Sequence, residues 1–172
     1  PIGTGGFVKT LAEWGLRLVG PEEAWEADVV LVGHDMKLTY RKLCAACEAV
    51  LRGAALITCD LEGYILGNNN SHLPTAGPIA QAIAFATGKS PLLAGKPSAW
   101  AVEFALRWAG FDRETTAIVG DSLPIDIGAG KVGGLYTVLV LSGRTRPEDL
   151  DTVPEDLTPD LILPDVTHLL AG

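Results

Sequence analysis

Two short segments carry residues whose types and spacing suit phosphate and cation chemistry. The first is Gly95-Lys96-Pro97. The second is Gly120-Asp121-Ser122-Leu123-Pro124-Ile125-Asp126-Ile127. Each follows a short apolar run that reads as a buried strand, which puts Lys96 and Asp121 at the carboxyl edge of a sheet, where α/β folds bind ligands. Asp oxygens are preferred ligands of Mg²⁺, and a lysine acts as a point charge on phosphate. Spacing alone leaves a second reading open. Asp126 could cap the helix that opens at Ile127, and Asp121 could be a solvated loop residue, because carboxylates favour helix N-termini for dipole reasons.

Other motifs carry less. Gly128-Ala129-Gly130-Lys131-Val132-Gly133 matches G-x-G-x-x-G, but the dinucleotide fingerprint needs its glycines to turn directly out of a strand. Here Asp121–Ile127 intervenes, and small residues that let a helix approach a sheet account for the pattern. A nicotinamide-binding domain would rest on this match alone. Gly88-Lys89-Ser90 resembles the end of a phosphate-binding loop, yet the required leading glycine falls at Ile83. Cys44-Ala45-Ala46-Cys47 has redox spacing. It lies on an amphipathic helix with Leu43, Val50 and Leu51, where cysteine serves as a small apolar residue. His34, His72 and His168 have no zinc-ligand spacing to the cysteines.

The elements that must position these residues alternate along the chain. Helices are expected over Phe7–Leu18, Leu38–Arg52 (stopped by Gly53), Ile79–Thr87 (stopped by Gly88) and from Ser98 to Gly110, the last with Ala101, Phe104, Ala105 and Trp108 as its buried stripe. Strands are expected at Val29–Val32, Ala54–Thr58, Pro91–Ala94, Ala117–Val119, Tyr136–Leu141 and Leu161–Leu163. Asp60–Ser71 reads as a polar loop, Asp126–Gly133 as a short glycine-rich helix or turn, and Arg144–Thr158 as a Pro- and acid-rich excursion. Strands alternating with helices imply an α/β fold with a largely parallel sheet.

Composition removes several function classes. The chain has 172 residues, 48% of them apolar and 20% charged, the balance of a globular protein with a sizeable core. A formal charge of −8 argues against a nucleic-acid partner, which would call for a basic face. No apolar run approaches the roughly 18 residues that span a membrane, so no membrane partner is expected. Three cysteines are too few and too odd for a disulfide framework. With no signal sequence behind Pro1, a reduced, cytoplasmic location is expected.

Taken together, Gly95-Lys96-Pro97, the helix after it, and the strand into Gly120-Asp121-x-x-x-x-Asp126-Ile127 resemble the third and fourth motifs of the haloacid dehalogenase (HAD) superfamily. Val29–Gly33 with His34-Asp35, Leu38-Thr39-Tyr40, Leu73-Pro74 with Gly77, Ala86-Thr87-Gly88 and Thr137–Gly143 narrow the resemblance. They are similar to the capped branch of 4-nitrophenyl phosphatase, NagD and phosphoglycolate phosphatase. The resemblance covers nearly the whole chain. It implies a HAD-like Rossmannoid parallel sheet, here the C-terminal half of the core over 95–172, plus an α/β cap domain over 1–94.

The resemblance also implies a function: a Mg²⁺-dependent phosphatase of a small phosphorylated metabolite, working through an aspartyl-phosphate. Lys96 would steady the nucleophile and the phosphoryl charge. Asp121 would bind Mg²⁺, and Asp126 would support the cation site and its loop. Thr58, Asp60 and Glu62 would stand at the cap's substrate-facing position. Three departures are visible. The second aspartate usually follows Thr and here follows Ile125. The cap loop usually carries an Asn and an Asp, where this chain has Asp60 and Glu62. The family's D-x-D-G nucleophile motif is absent from the 172 residues.

Leu56-Ile57-Thr58-Cys59-Asp60-Leu61-Glu62-Gly63 has the form of a strand leading into D-x-E-G. A displaced nucleophile at Asp60 therefore stands beside the cap assignment. Little or no turnover is expected from this chain by itself. The non-enzymatic alternative is a phosphate-binding or dimerising module, and a homodimer is a possible partner state.

Overall fold

The computed structural model describes residues 1–170; the last two positions of the expected second domain, 171 and 172, lie outside them. The chain forms two compact units, Pro1–Ala94 and Gly95–Gly172.

In the first unit, β1 (Val29–Val32), β2 (Ala55–Thr58) and β5 (Leu92–Leu93) form a parallel sheet in the order β1-β2-β5. Val32 lies opposite Thr58, and Thr58 opposite Leu93. Val30, Val32 and Leu56 are buried against α2 (Tyr40–Leu51) and α3 (Ala76–Thr87), which contribute Ala46, Ala49, Val50, Ile79, Ala80 and Ile83. Each large side chain buried this way contributes about 1.5–3 kcal/mol. Thr39 caps α2 by accepting the Lys42 amide, at 3.3 Å. Within α2, Cys47 packs against the core while Cys44 is exposed, so the C-x-x-C spacing belongs to a helix face.

Three expectations for this unit change. The first helix, α1 (Gly5–Glu13), is shorter than Phe7–Leu18 implied, because the chain turns at Gly15 with φ +78°. Helix α3 begins at Ala76, not Ile79, since Pro78 is tolerated in a first turn. The expected polar loop contains an antiparallel hairpin of β3 (Tyr64–Leu66) and β4 (His72–Pro74), with Leu66 opposite His72. Asn69 makes its turn at φ +59°, a conformation Asn tolerates.

The second unit is another parallel sheet, β6-β7-β8, from Ala117–Gly120, Tyr136–Val140 and Leu161–Leu163. Helix α4 (Ala99–Ala109) precedes β6. It is capped by the Ser98 hydroxyl, which accepts the Ala101 amide at 3.2 Å, and closed by Gly110 at φ +68°. Its buried face is not the expected stripe. Val102 and Leu106 face the core, whereas Phe104 and Trp108 are 48% and 79% exposed. The reason is α5 (Gly128–Gly133): Gly133 has no side chain where Val102 sits, so α4 settles on that seat. Gly130 likewise admits Thr137 and Ile118. The G-x-G-x-x-G spacing is thus a packing surface of α5, as read from the strand it fails to follow. Between α4 and β6 runs an apolar groove of about 350 Å³ lined by Ala105, Trp108, Phe111 and Ile118. Among the described residues β6 pairs only with β7.

Candidate active site

The carboxyl end of β6 builds a compact polar cluster. After Gly120 the backbone enters a π-helical turn, Leu123–Ile127, which carries Asp126 back over the strand end. Asp126 Oδ2 accepts the amides of Asp121 (3.1 Å) and Ser122 (3.0 Å), and Oδ1 accepts Lys96 Nζ at 2.5 Å. A side chain at Gly120 would collide with the Asp126 carboxylate, so glycine is required for this fold-back. Asp126 is buried, with its side chain 8% exposed; that of Lys96 is 50% exposed. The buried carboxylate therefore organises the loop and holds the root of an ammonium whose other side faces water. The Lys96–Pro97 peptide is cis.

Asp121 is set differently. The loop after β7 presses on it closely enough that a Cβ at Gly143 would overlap its carboxylate. Asp121 Oδ2 accepts the Arg144 amide at 2.7 Å. Its carbonyl accepts both the Thr145 amide (3.0 Å) and the Thr145 hydroxyl (2.6 Å), and Thr145 is buried. A half-buried carboxylate is thus fixed by backbone from two strand ends, which is the preorganisation a cation or phosphoryl site needs. The structure brings Lys96, Asp121 and Asp126 together through Asp126, although the strand before Lys96, β5, belongs to the first sheet. It also divides their work, since both Asp126 oxygens are occupied.

The donor set suits Mg²⁺. No cluster of three or more His, Cys, Asp or Glu side chains able to hold a metal exists among the described residues. Mg²⁺ does not require one, because it keeps several waters and takes one or two carboxylates plus substrate phosphate. In the residue after Asp121, the Ser122 hydroxyl is buried without a hydrogen-bond partner among the described residues. Sequence reasoning passed over Ser122, since nothing in its type or spacing distinguishes it from an ordinary turn serine.

In the first unit, Thr58, Asp60 and Glu62 also come together. Thr58 is fully buried, and its hydroxyl donates to the Asp60 carbonyl at 2.8 Å. Asp60 Oδ1 accepts the Gly77 amide at 3.2 Å, in the first turn of α3, and the Thr75 hydroxyl donates to the Glu62 carbonyl. A Cβ at Gly77 would strike the Leu61 and Glu62 backbone. The loop is thereby clamped onto the α3 N-terminus, with Asp60 as a tether and Glu62 partly exposed. Desolvation of the sulfur, then the Asp60 carboxylate, pushes the Cys59 thiol up to about 11. A thiol so raised is a poor nucleophile at neutral pH.

The chain is similar to known proteins along most of its length. Residues 93–169 match the HAD-hydrolase-like family model. The 5'-nucleotidase YutF of Bacillus subtilis (strain 168) is 34% identical over 149 residues, covering 87% of this chain and 56% of that protein. The 4-nitrophenylphosphatase of Thermotoga maritima superposes with a TM-score of 0.88 at 31% identity, over 99% of this chain and 64% of its own. A glycerol phosphate phosphatase of Mycobacterium tuberculosis, in complex with magnesium, superposes with a TM-score of 0.88 at 28% identity, over 98% and 50%. The chain spans less than two thirds of each of these relatives. The matches to solved structures run through both units, and the chain belongs to the haloacid dehalogenase superfamily.

Proposed function

We propose that this chain supplies the lysine and the cation carboxylate of a Mg²⁺-dependent phosphomonoesterase acting on a small phosphorylated metabolite. In this reading Pro1–Ala94 is the α/β cap, and the unit from Gly95 is the C-terminal half of the catalytic core. The carrying observation is the clamp at the end of β6, where Asp126 holds Lys96 and the amides of Asp121 and Ser122 in one arrangement.

Asp121 is the direct cation ligand in this account. Mg²⁺, when bound, neutralises charge on the transferring phosphoryl oxygens. Lys96, from the segment between β5 and α4, adds a second positive charge, while Asp126 positions the Lys96 ammonium and the turn that bears Asp121. Thr58 and Asp60 shape the cap loop from within, and in this reading Glu62 is the loop residue that meets a substrate. The attacking carboxylate belongs to a segment outside these 172 residues, which contain no D-x-D-G motif. The open edge of β6 and the apolar groove beside α4 are the surfaces such a segment would cover. This reading makes Ala101, Ala105 and Trp108, three of the four residues of the expected α4 stripe, a buried surface of the longer core.

Mn²⁺, read by electron paramagnetic resonance and displaced by Mg²⁺, tests the cation site in the chain as it stands. Binding that Asp121→Asn abolishes, and that Asp60→Asn leaves intact, supports the assignment. Loss on Asp60→Asn with retention in Asp121→Asn would move the site to the first unit.

The non-catalytic alternative, a phosphate-binding or dimerising module, keeps the same clamp. It predicts that phosphate binds without any stimulation by Mg²⁺.

A further inference from the structure

The Ser122 hydroxyl is the one buried side-chain polar atom that lacks a hydrogen-bond partner among the described residues. Ser122 is 5% exposed, and its backbone is fully engaged. Its amide donates to Asp126 Oδ2, and its carbonyl accepts the amides of Asp126 (2.9 Å) and Ile127 (3.2 Å). The turn that encloses the hydroxyl is thus held from both sides and offers the side chain no partner of its own. A buried hydroxyl left this way carries its full desolvation penalty. Alanine would remove that penalty, and so would any group that arrives to pair with the oxygen.

Ser122 is also the residue that follows Asp121, and both of their amides converge on a single carboxylate oxygen. The hydroxyl therefore belongs to the same rigid turn as the cation carboxylate. Mg²⁺ holds most of its coordination shell as water, and outer-shell partners commonly orient such waters.

We propose that Ser122 is a positioning residue for the hydrated cation: its Oγ, which has no partner among the described residues, accepts a hydrogen bond from a water in the cation's shell. The proposal rests on the cation site read at Asp121.

The test compares the wild-type chain with Ser122→Ala, Ser122→Cys (similar in shape, slightly larger, with a weak acceptor) and Asp121→Asn. Each is read by thermal unfolding without cation and by Mn²⁺ titration with Mg²⁺ competition. Without cation, both Ser122 variants should melt at or above the wild-type temperature. Their cation dissociation constants should rise roughly tenfold, the loss typical of an outer-shell partner.

Unchanged cation affinity in both Ser122 variants overturns the proposal. So does a lowered melting temperature without cation in both, which would reveal a partner inside the apo fold. If Asp121→Asn binds the cation as well as wild type, the reading of the site fails, and the proposal with it. Wild-type affinity lost on Asp121→Asn but untouched at Ser122 refutes the proposal alone.

Discussion

Asp126→Asn is the substitution that most sharply separates a buried clamp from a surface ion pair. The carboxylate accepts two backbone amides on Oδ2, at 3.1 and 3.0 Å, and Lys96 on Oδ1 at 2.5 Å. Asparagine has the same shape but only one acceptor. Turned to serve the amides, it points its NH₂ at the Lys96 ammonium; turned to serve Lys96, it sets donors against two amides. A hydrogen bond to a charged acceptor is roughly twice as strong as a neutral one. With net values of about 1.5–3 kcal/mol against about 1, each amide bond weakens by about 1 kcal/mol. Lys96 is half exposed, so solvent screening limits its share to about 0.5 kcal/mol.

The sum predicts a loss of about 2–3 kcal/mol for Asp126→Asn and less than about 1 kcal/mol for Lys96→Met. Urea unfolding followed by tryptophan fluorescence measures both. Replacing the exposed Trp14 and Trp25 by Phe leaves Trp100 and Trp108 to report on the second unit. If Lys96→Met costs as much as Asp126→Asn, the amides are not what Asp126 serves and the reasoning fails. A double-mutant coupling above about 1 kcal/mol would point the same way.

Three further outcomes follow from the same structure. Asp160 accepts the Thr137 hydroxyl (2.6 Å) and amide (2.8 Å) and Lys131 Nζ (2.9 Å), which together hold its carboxyl at about 2. A depressed folded pKa stabilises above the unfolded value of about 3.9, and that stability is lost as pH falls toward about 2. Wild type should therefore lose more of its urea midpoint than Asp160→Asn between about pH 4 and pH 2; parallel losses would contradict the assignment. Gly133→Ala should cost about 1–3 kcal/mol by forcing Cβ against Val102, whereas Gly128→Ala, whose nearest neighbours stand at 3.4 Å or more, should cost nothing. Equal melting temperatures for the two variants would remove the packing role given to the α5 glycines. Alkylation of Cys59 should still accelerate about tenfold per pH unit from about pH 8 to 10, and a plateau near pH 9 would show an unperturbed thiol.

Much of the fold was legible because the strands are short apolar runs that end at turn residues. Val29–Val32, Leu161–Leu163 and the strand entering Gly120 stand as read, and so do the glycines that stop α2, α3 and α4. The hairpin around Asn69 was not legible. Its strands are three residues each and carry His72 and Pro74, too short and too mixed to show an alternating pattern.

The buried face of α4 was missed for a different reason. Periodicity favours its large aromatics, while the seat is decided by Gly133 on another helix, an absence of side chain that no local pattern records. At the site, residue type and spacing singled out Lys96, Asp121 and Asp126 as candidates beside a plain helix-capping reading of the aspartates. They could not say that Asp126 is buried with both oxygens engaged, because that depends on the fold-back Gly120 permits. Ser122 left no signal at all: its distinction is a missing partner, which exists only in three dimensions.

In the proposed reading these residues hold the lysine and cation carboxylate of a phosphatase whose attacking group another segment supplies. Phosphate release from 4-nitrophenyl phosphate with Mg²⁺, measured on the 172-residue chain and on its Asp60→Asn variant, tests that claim most directly. The account predicts no Mg²⁺-dependent turnover from either protein. Robust turnover from the chain that Asp60→Asn abolishes would contradict it, making Asp60 the nucleophile and the first unit something other than a cap.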